Sequence, residues 1–401
     1  MKKRNIPFSP PDITNEEVKL VTDALLSGWI TTGPKTKLFE DKLSEYSGTN
    51  KTVALNSATA AMEMTLRLLG VGPGDEVITS AYTYTASASV IFHVGAKIVM
   101  IDTQKDSVEM DYDQLASKIT DKTKAIIPVD IAGIMIDYDK LYEVIESKKD
   151  LFKPTTDLQK HIGRIAVIAD AAHSVGAKYK GKPNGTVADF TCYSFHAVKN
   201  LTTAEGGSVT WNKNLGLNDD EIYQGFQLLS LHGQNKDALA KTKLGSWEYD
   251  IIYPAYKCNM TDIVAAIGLV QFDRYEGLIA RRNEIVSMYN EGLDKIGVSY
   301  LDHTESSAHL YITRVPGISL EQRNEIIEIM AESGIACNVH YKPLPMMTAY
   351  KNLGFDIKDY PNAYDYYHNA ITLPLHTNLS DEDVEYVLDN FEKAIDKVKN
   401  V

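Results

Sequence analysis

Through roughly the first 210 residues, short apolar runs alternate with segments of helical period, and this alternation constrains the fold more than any other feature. "KTVALNS" reads as a strand running into a helix over "AAMEMTLRLLG", where Ala60, Met62, Leu66 and Leu69 approximate one stripe. "GPGDEVITS" reads as a turn and a strand, and "AKIVMID", "KAIIPVD", "RIAVIAD", "DFTCYSF" and "GSVTW" as further strands. Helical stretches such as "DYDQLASKI" and "DYDKLYEVIESKK" separate several of them. Strands that are apolar along their whole length need cover on both faces, which predicts an α/β fold with a parallel or mostly parallel sheet.

Around residues 211–260 the pattern loosens into a charged, irregular stretch. One long helix, straight or kinked, is predicted over "TDIVAAIGLVQFDRYEGLIARRNEIVSMYNEGLDKI", which carries the basic pair Arg281 and Arg282. After it come a strand, "AHLYITRV", a helix ending in glycine, "SLEQRNEIIEIMAESG", and a capped terminal helix, "SDEDVEYVLDNFEKAIDKV". The expected organisation is an extended arm over 1–12 and a large α/β domain over 13–250. The connecting helix and a smaller α+β domain follow over 251–401.

A formal charge of −13 argues against a general nucleic-acid or anionic-membrane surface, although a local pocket can still be positive. Cys192, Cys258 and Cys337 are widely spaced, fit neither a metal-ligand spacing nor a disulfide framework, and read as reduced thiols of a cytoplasmic protein. "MKKRNIPFSPPDIT" has no apolar stretch behind its basic start, and no run of 18 apolar residues occurs, so neither a signal peptide nor a membrane span is expected.

Open α/β sheets bind ligands at the carboxyl ends of their strands, and four such junctions carry suggestive residues. In "NSATAA", Ser57, Ala58 and Thr59 sit where a strand becomes a helix, a place suited to a phosphate and equally to an ordinary N-cap. "AYTYTAS" offers Tyr82 and Tyr84, either able to stack on a flat ligand, though aromatics there are more often core. In "IADAAHS", Asp170 ends an apolar run and His173 follows; a buried carboxylate needs a positive partner, or else caps the next segment. "YSFHAVKNLTTAEGGSV" places Ser194 and Lys199 just after another apolar run. Beside apolar strands the ammonium form of Lys199 is disfavoured, which makes its free amine a usable nucleophile. Phosphate cup, aromatic, carboxylate and lysine together match what pyridoxal 5'-phosphate (PLP) requires, a Schiff-base lysine and an acid on the pyridine nitrogen.

At these residues the chain resembles the DegT/DnrJ/StrS family of nucleotide-sugar aminotransferases. The matching motifs run along nearly its whole length: "SGWITTGPKTKLFE", "NSATAAMEMTLRLLGVGPGDEVITSAYTYTAS", "DAAHSVGA", "SFHAVKNLTTAEGG", "NMTDIVAAIGLVQ" and "ITLPLHTNLSDEDV". The resemblance implies a fold type I PLP-dependent transferase, with a mostly parallel seven-stranded sheet and a smaller C-terminal α+β domain. It implies Lys199 as the Schiff-base lysine, Asp170 on the pyridine nitrogen and His173 beside the ring. Ala58, Thr59 and Ser194 would bind the phosphate, and Tyr84 would stack on the ring. A homodimer with shared active sites is implied too, in which a polar residue crosses to the neighbour's phosphate. Here "AYKCNM" replaces the usual "GYNYRM", so either Lys257 or Asn259 would do so. "PVDIAG" has Asp130 where many members carry His, and Asp130 is given no role.

The implied reaction moves an amino group from L-glutamate, leaving 2-oxoglutarate, to the 4-keto carbon of a nucleotide-linked, UDP-type keto-deoxy sugar for surface polysaccharide. Other branches are 3-keto aminases, sugar dehydratases, in which histidine replaces the lysine, and non-catalytic regulators. Trp29, Thr31, Thr32, His340 and Tyr341 fall in segments that the family places near the sugar; His340 reads equally well as a structural histidine.

Overall fold

The apolar runs form the strands of one seven-stranded sheet in a computed structural model that describes residues 3–236 and 248–399. In chain order they are β1 (Thr52–Leu55), β2 (Glu76–Ser80), β3 (Lys97–Ile101), β4 (Thr123–Ile127) and β5 (Ala166–Asp170). After a small hairpin of β6 (Lys178–Tyr179) and β7 (Lys182–Pro183) come β8 (Phe190–Ser194) and β9 (Gly207–Trp211). The spatial order is β1-β9-β8-β5-β4-β2-β3. All neighbours are parallel except β9, which runs antiparallel between β1 and β8. Every residue of β2, β4, β5, β8 and β9 is buried, as a sheet covered on both faces demands.

A second, antiparallel sheet orders β10 (Ser299–Tyr300), β11 (Tyr311–Arg314) and β12 (Ala370–Leu373). The helix Asp262–Ile296 is unbroken over 35 residues and joins the two cores. Its first half packs Ala265, Leu269 and Tyr275 with Phe39 and Phe195, and its second half packs Ile285, Tyr289 and Leu293 with Tyr311, Ile371 and Phe391. The fold is therefore of the mostly parallel α/β type, with the α+β portion at the C-terminal end.

Two expectations are revised. The strand expected over "AHLYITRV" starts only at Tyr311, because the N–H groups of Ser307 and His309 bond to the carbonyls of Gly133 and Ala132 beside the main sheet. Within the stretch expected to be irregular, Asp219–Ser230 is a helix capped by the Asn218 side chain; residues 237–247 of that stretch lie outside the described residues, as do Met1 and Lys2. No helix among the described residues is long and apolar enough to cross a membrane.

Asp262, the first residue of the long helix, clasps the start of another helix, Pro34–Ser47. Its buried carboxylate accepts the N–H groups of Gly33 (2.8 Å), Lys35 (3.0 Å) and Thr36 (2.9 Å) and the Thr36 hydroxyl (2.7 Å). These are donors that a helix N-terminus leaves unpaired, and an anion there is further favoured by the helix dipole. A side chain at position 33 would stand 2.7 Å from Asp262 Oδ2, so glycine makes the approach possible. Asp262→Ala strands these buried donors and is expected to destabilise the fold by ~3 kcal/mol, read as a lower urea midpoint at unchanged slope. A midpoint equal to the parent's would show the clasp to be dispensable.

Candidate active site

Because β1, β2, β5 and β8 point the same way, their carboxyl ends open on one edge of the sheet, and a cavity of about 510 Å³ lies there. Ser57, Ala58 and Thr59 line it from the end of β1, Tyr84 from beyond β2, Asp170 and His173 from β5, and Ser194 and Lys199 from β8. His340 and Tyr341 close it from the C-terminal part of the chain. Ten residues singled out in the sequence thus meet in one place, drawn from five separate segments.

β9 packs directly behind the cup. Gly207 pairs with Leu55, and a Cβ on it would stand 2.2 Å from the carbonyl carbon of Ser57 and 2.3 Å from the nitrogen of Ala58. Only a bare backbone lets the strand pass this close to the turn. Ser57 is the N-cap of the helix Ala58–Leu68, its hydroxyl accepting the Ala60 N–H at 3.0 Å, so the ordinary capping use of this residue is real. The first-turn N–H groups of that helix remain without intrahelical acceptors, the arrangement that attracts an anion.

Asp170 is buried at the end of β5. It accepts a 2.6 Å bond from the Ser87 hydroxyl and a 3.2 Å bond from the Ala172 N–H. No cation among the described residues pairs directly with it; burial drives its carboxyl above the usual range, opposed by Ser87, Ala172 and the more distant charge of Lys199. The Lys199 amine is pushed down to about 8, burial being the cause and the Asp170 charge opposing it. Roughly a tenth is therefore free amine at pH 7, far more than for an ordinary lysine, and that is the form that attacks a carbonyl.

His173 is locked as a neutral ring. Its Nδ1 accepts the Ala132 N–H at 3.2 Å, which leaves the proton on Nε2, 3.1 Å from the Tyr341 hydroxyl. Burial and the nearby Lys199 and His340 hold it well below the usual imidazole range. Its ring lies 4.4 Å from that of His309, whose Nδ1 meets Asn200 Oδ1 at 2.9 Å. The Asn200 amide in turn donates to the Ser307 carbonyl at 2.6 Å, anchoring the chain next to Lys199.

Sequence reasoning missed Ser87, Asn200 and His309. Ser87 closes the quoted "AYTYTAS" and Asn200 adjoins the lysine, so both stood within view, whereas His309 carries no local signal. Tyr82, offered as a stacking residue, is core: it is fully buried and its hydroxyl donates to the His340 carbonyl. Trp29, Thr31, Thr32, Lys257 and Asn259 do not line this chain's cavity. Thr32 is buried and donates to the Met260 carbonyl, Asn259 donates to Thr32 at 2.6 Å, and exposed Lys257 bonds to Asn259. Among the described residues no cluster of His, Cys, Asp or Glu is suited to a metal ion.

Comparison with known proteins adds to this geometry. The profile of the DegT/DnrJ/EryC1/StrS aminotransferase family matches residues 11–392. The structure is similar to that of Spr1654 from Streptococcus pneumoniae, described as a sugar aminotransferase in its PMP form, with 61% identity, a TM-score of 0.96, and 98% of this chain and 100% of that one covered. The spore coat polysaccharide biosynthesis protein SpsC of Bacillus subtilis is 36% identical over 402 residues, 97% of each chain. The UDP-4-amino-4-deoxy-L-arabinose–oxoglutarate aminotransferase of Shewanella sediminis is 34% identical over 402 residues, again 97% of each.

The depressed basicity of Lys199 has a direct reading. Labelling with a small aldehyde and borohydride, followed by peptide mass spectrometry, should modify Lys199 with a pH midpoint near 8, because the reactive amine appears as pH rises through that value. A Lys199 midpoint at the ordinary lysine value of 10.5 would contradict the burial argument.

Proposed function

The chain belongs to the DegT/DnrJ/EryC1/StrS aminotransferase family and is a PLP-dependent aminotransferase, and on that footing we propose that it transfers an amino group from L-glutamate to a nucleotide-linked keto sugar. The acceptor carbon is the 4-keto position of a UDP-linked deoxy sugar, and the product serves surface polysaccharide synthesis. The names of the Shewanella and Bacillus relatives support this choice of substrate and pathway class. The observation that carries the reading is the meeting of a buried lysine of lowered basicity, a buried carboxylate and a helix N-terminus in one cavity.

The residues present fit the cofactor. When bound, PLP supplies a carbonyl that condenses with amines and a conjugated ring that accepts an electron pair. Ala58 and Thr59 at the helix N-terminus, with Ser57 framing the turn and the Ser194 hydroxyl lining the same cavity, would hold the phosphate on a turn that the bare backbone of Gly207 packs behind. Asp170 would keep a proton on the pyridine nitrogen, gaining the positive partner that its burial demands. Tyr84 and His173 supply walls for the ring. Lys199 Nζ would take the proton from the donor's α-carbon as base and give it up as acid at a different carbon, the shift that separates amino transfer from mere racemisation. His340 and Tyr341 lie on the substrate side of the cavity.

Lys257 and Asn259 act in the neighbouring subunit of a homodimer, where one of them meets the phosphate; Trp29, Thr31 and Thr32 approach the sugar from the same surface. Their position outside their own chain's cavity supports this, as do the exposed Ile251, Ile252, Tyr253 and Tyr256 that precede them.

Lys199→Ala is expected to cut transamination by about 10³-fold or more while leaving the melting temperature close to the parent's. Asp170→Asn should retain PLP yet slow proton transfer by about 10²-fold or more. Substantial activity in Lys199→Ala, or near-parental rates in Asp170→Asn, would refute these roles. Incubation with glutamate and a panel of UDP-, dTDP- and GDP-linked 3-keto and 4-keto sugars tests the acceptor by product mass. Amination of only 3-keto or non-UDP sugars would overturn the acceptor assigned here.

A further inference from the structure

The N-terminal arm crosses the molecule in extended form, and each of its attachments is specific. Ile6 is buried and pairs with residues 334–336: its N–H donates to the Gly334 carbonyl at 2.8 Å, and its carbonyl accepts the Ala336 N–H at 3.0 Å. A Cβ at Gly334 would stand 2.1 Å from the Arg4 carbonyl oxygen, so the glycine leaves the track open for the arm. His376 Nε2 lies 3.0 Å from the Pro7 carbonyl, which can only accept, and so carries the proton. At the far end the Asp12 carboxylate meets Arg274 at 2.5 Å and the Thr377 hydroxyl at 2.7 Å. Pro7, Pro10 and Pro11 hold the backbone between these anchors in a narrow range of conformations.

Between the anchors, two side chains touch the rim of the active site. Phe8 stacks on His340, with ring centroids 5.5 Å apart and planes 23° from parallel. The Ser9 hydroxyl donates to the Val198 carbonyl at 3.2 Å, one residue before Lys199. His340 and Val198 line the cavity; Phe8 and Ser9 do not. The arm thus reaches both walls of the site without entering it.

We propose that the arm is a working part of the active site, with Phe8 and Ser9 as positioning residues that hold the His340 wall and the backbone of Val198 and Lys199 at the spacing PLP requires. The inference rests on PLP dependence alone and is independent of which amino donor or sugar is used. His340 is held on its other sides by the Thr372 hydroxyl, 3.0 Å from Nδ1, and by the Tyr341 ring at 5.0 Å. The titratable groups that face it are Lys199, His173, His309, Tyr341 and Tyr82, the last through its bond to the His340 carbonyl. Burial, with the Lys199 charge, holds its imidazole down at about 4. The Phe8 ring supplies part of that cover, and its removal lets water reach the imidazole.

The test uses the full-length holoenzyme and three variants, Phe8→Ala, Phe8→Tyr and Ser9→Ala. One readout is the imidazole resonance of His340, assigned by its loss in His340→Gln; another is release of PLP on dilution, followed by visible absorbance. In Phe8→Ala the His340 midpoint should rise from about 4 toward the ordinary 6.5, and PLP should leave about 3- to 10-fold faster, the range that loss of one aromatic stack spans. Phe8→Tyr keeps the ring and should restore both values. Ser9→Ala should quicken release about 3-fold at an unchanged melting temperature, the loss of one ordinary hydrogen bond, and it decides the matter if Phe8→Ala does not fold. Parental release in both Phe8→Ala and Ser9→Ala, or an unmoved His340 midpoint in a folded Phe8→Ala, overturns the proposal. So does a lowered melting temperature with parental release, which would make the arm a structural staple and nothing more.

Discussion

Burying a carboxylate without a directly paired cation is among the costlier things a fold does, and among the described residues this one does it at Asp170, at the end of a strand in the middle of its sheet. Two hydrogen bonds, from Ser87 and Ala172, offset part of the cost and leave the rest standing. Lys199 faces the same low-dielectric space and loses basicity there. On the roles proposed for them, each group would become well matched with a phosphorylated pyridine bound, because the protonated ring nitrogen would supply Asp170 with a cation and the aldehyde would take up the free amine of Lys199. Cofactor binding would then relieve part of the solvation cost that the polypeptide alone sustains.

Topology brings these groups together. Six parallel strands send their carboxyl ends to one edge, and the reversed β9 returns from that edge between β1 and β8. The reversal places Gly207 against the turn of Ser57 and Ala58, so the phosphate cup and the lysine loop are two sides of one hairpin-like return. The segment around His309 leaves its own sheet to bond with Ala132 and Gly133, and so carries C-terminal side chains under His173.

Much of this was readable in the chain because its signals are local. Apolar strands separated by helical stretches identify a covered sheet, and Asp170 and Lys199 stand out as charges at the ends of apolar runs. What was not readable depends on distance along the chain. Tyr82 and Tyr84 look alike in "AYTYTAS", yet one is core and the other 61% exposed at the cavity mouth, a difference set by which face of a turn meets the His340 segment. The bond from the Thr32 hydroxyl to the Met260 carbonyl, 228 positions away, has no local signal in the chain. His309, Phe8 and Ser9 carry no pattern of their own; their places follow only once both sheets exist.

The clasp of Asp262 on Gly33, Lys35 and Thr36 closes over 229 positions of sequence at its longest, which bears on how the protein is born. A nascent chain leaving the ribosome has β1 without its only sheet neighbour until Gly207–Trp211 emerges, and the helix Pro34–Ser47 without a cap until Asp262 does. The arm waits longer still, for residues 334–336 and His376. Synthesis must therefore run through most of the polypeptide before these N-terminal segments have their long-range partners, and that is the interval in which a chaperone has the most to shield.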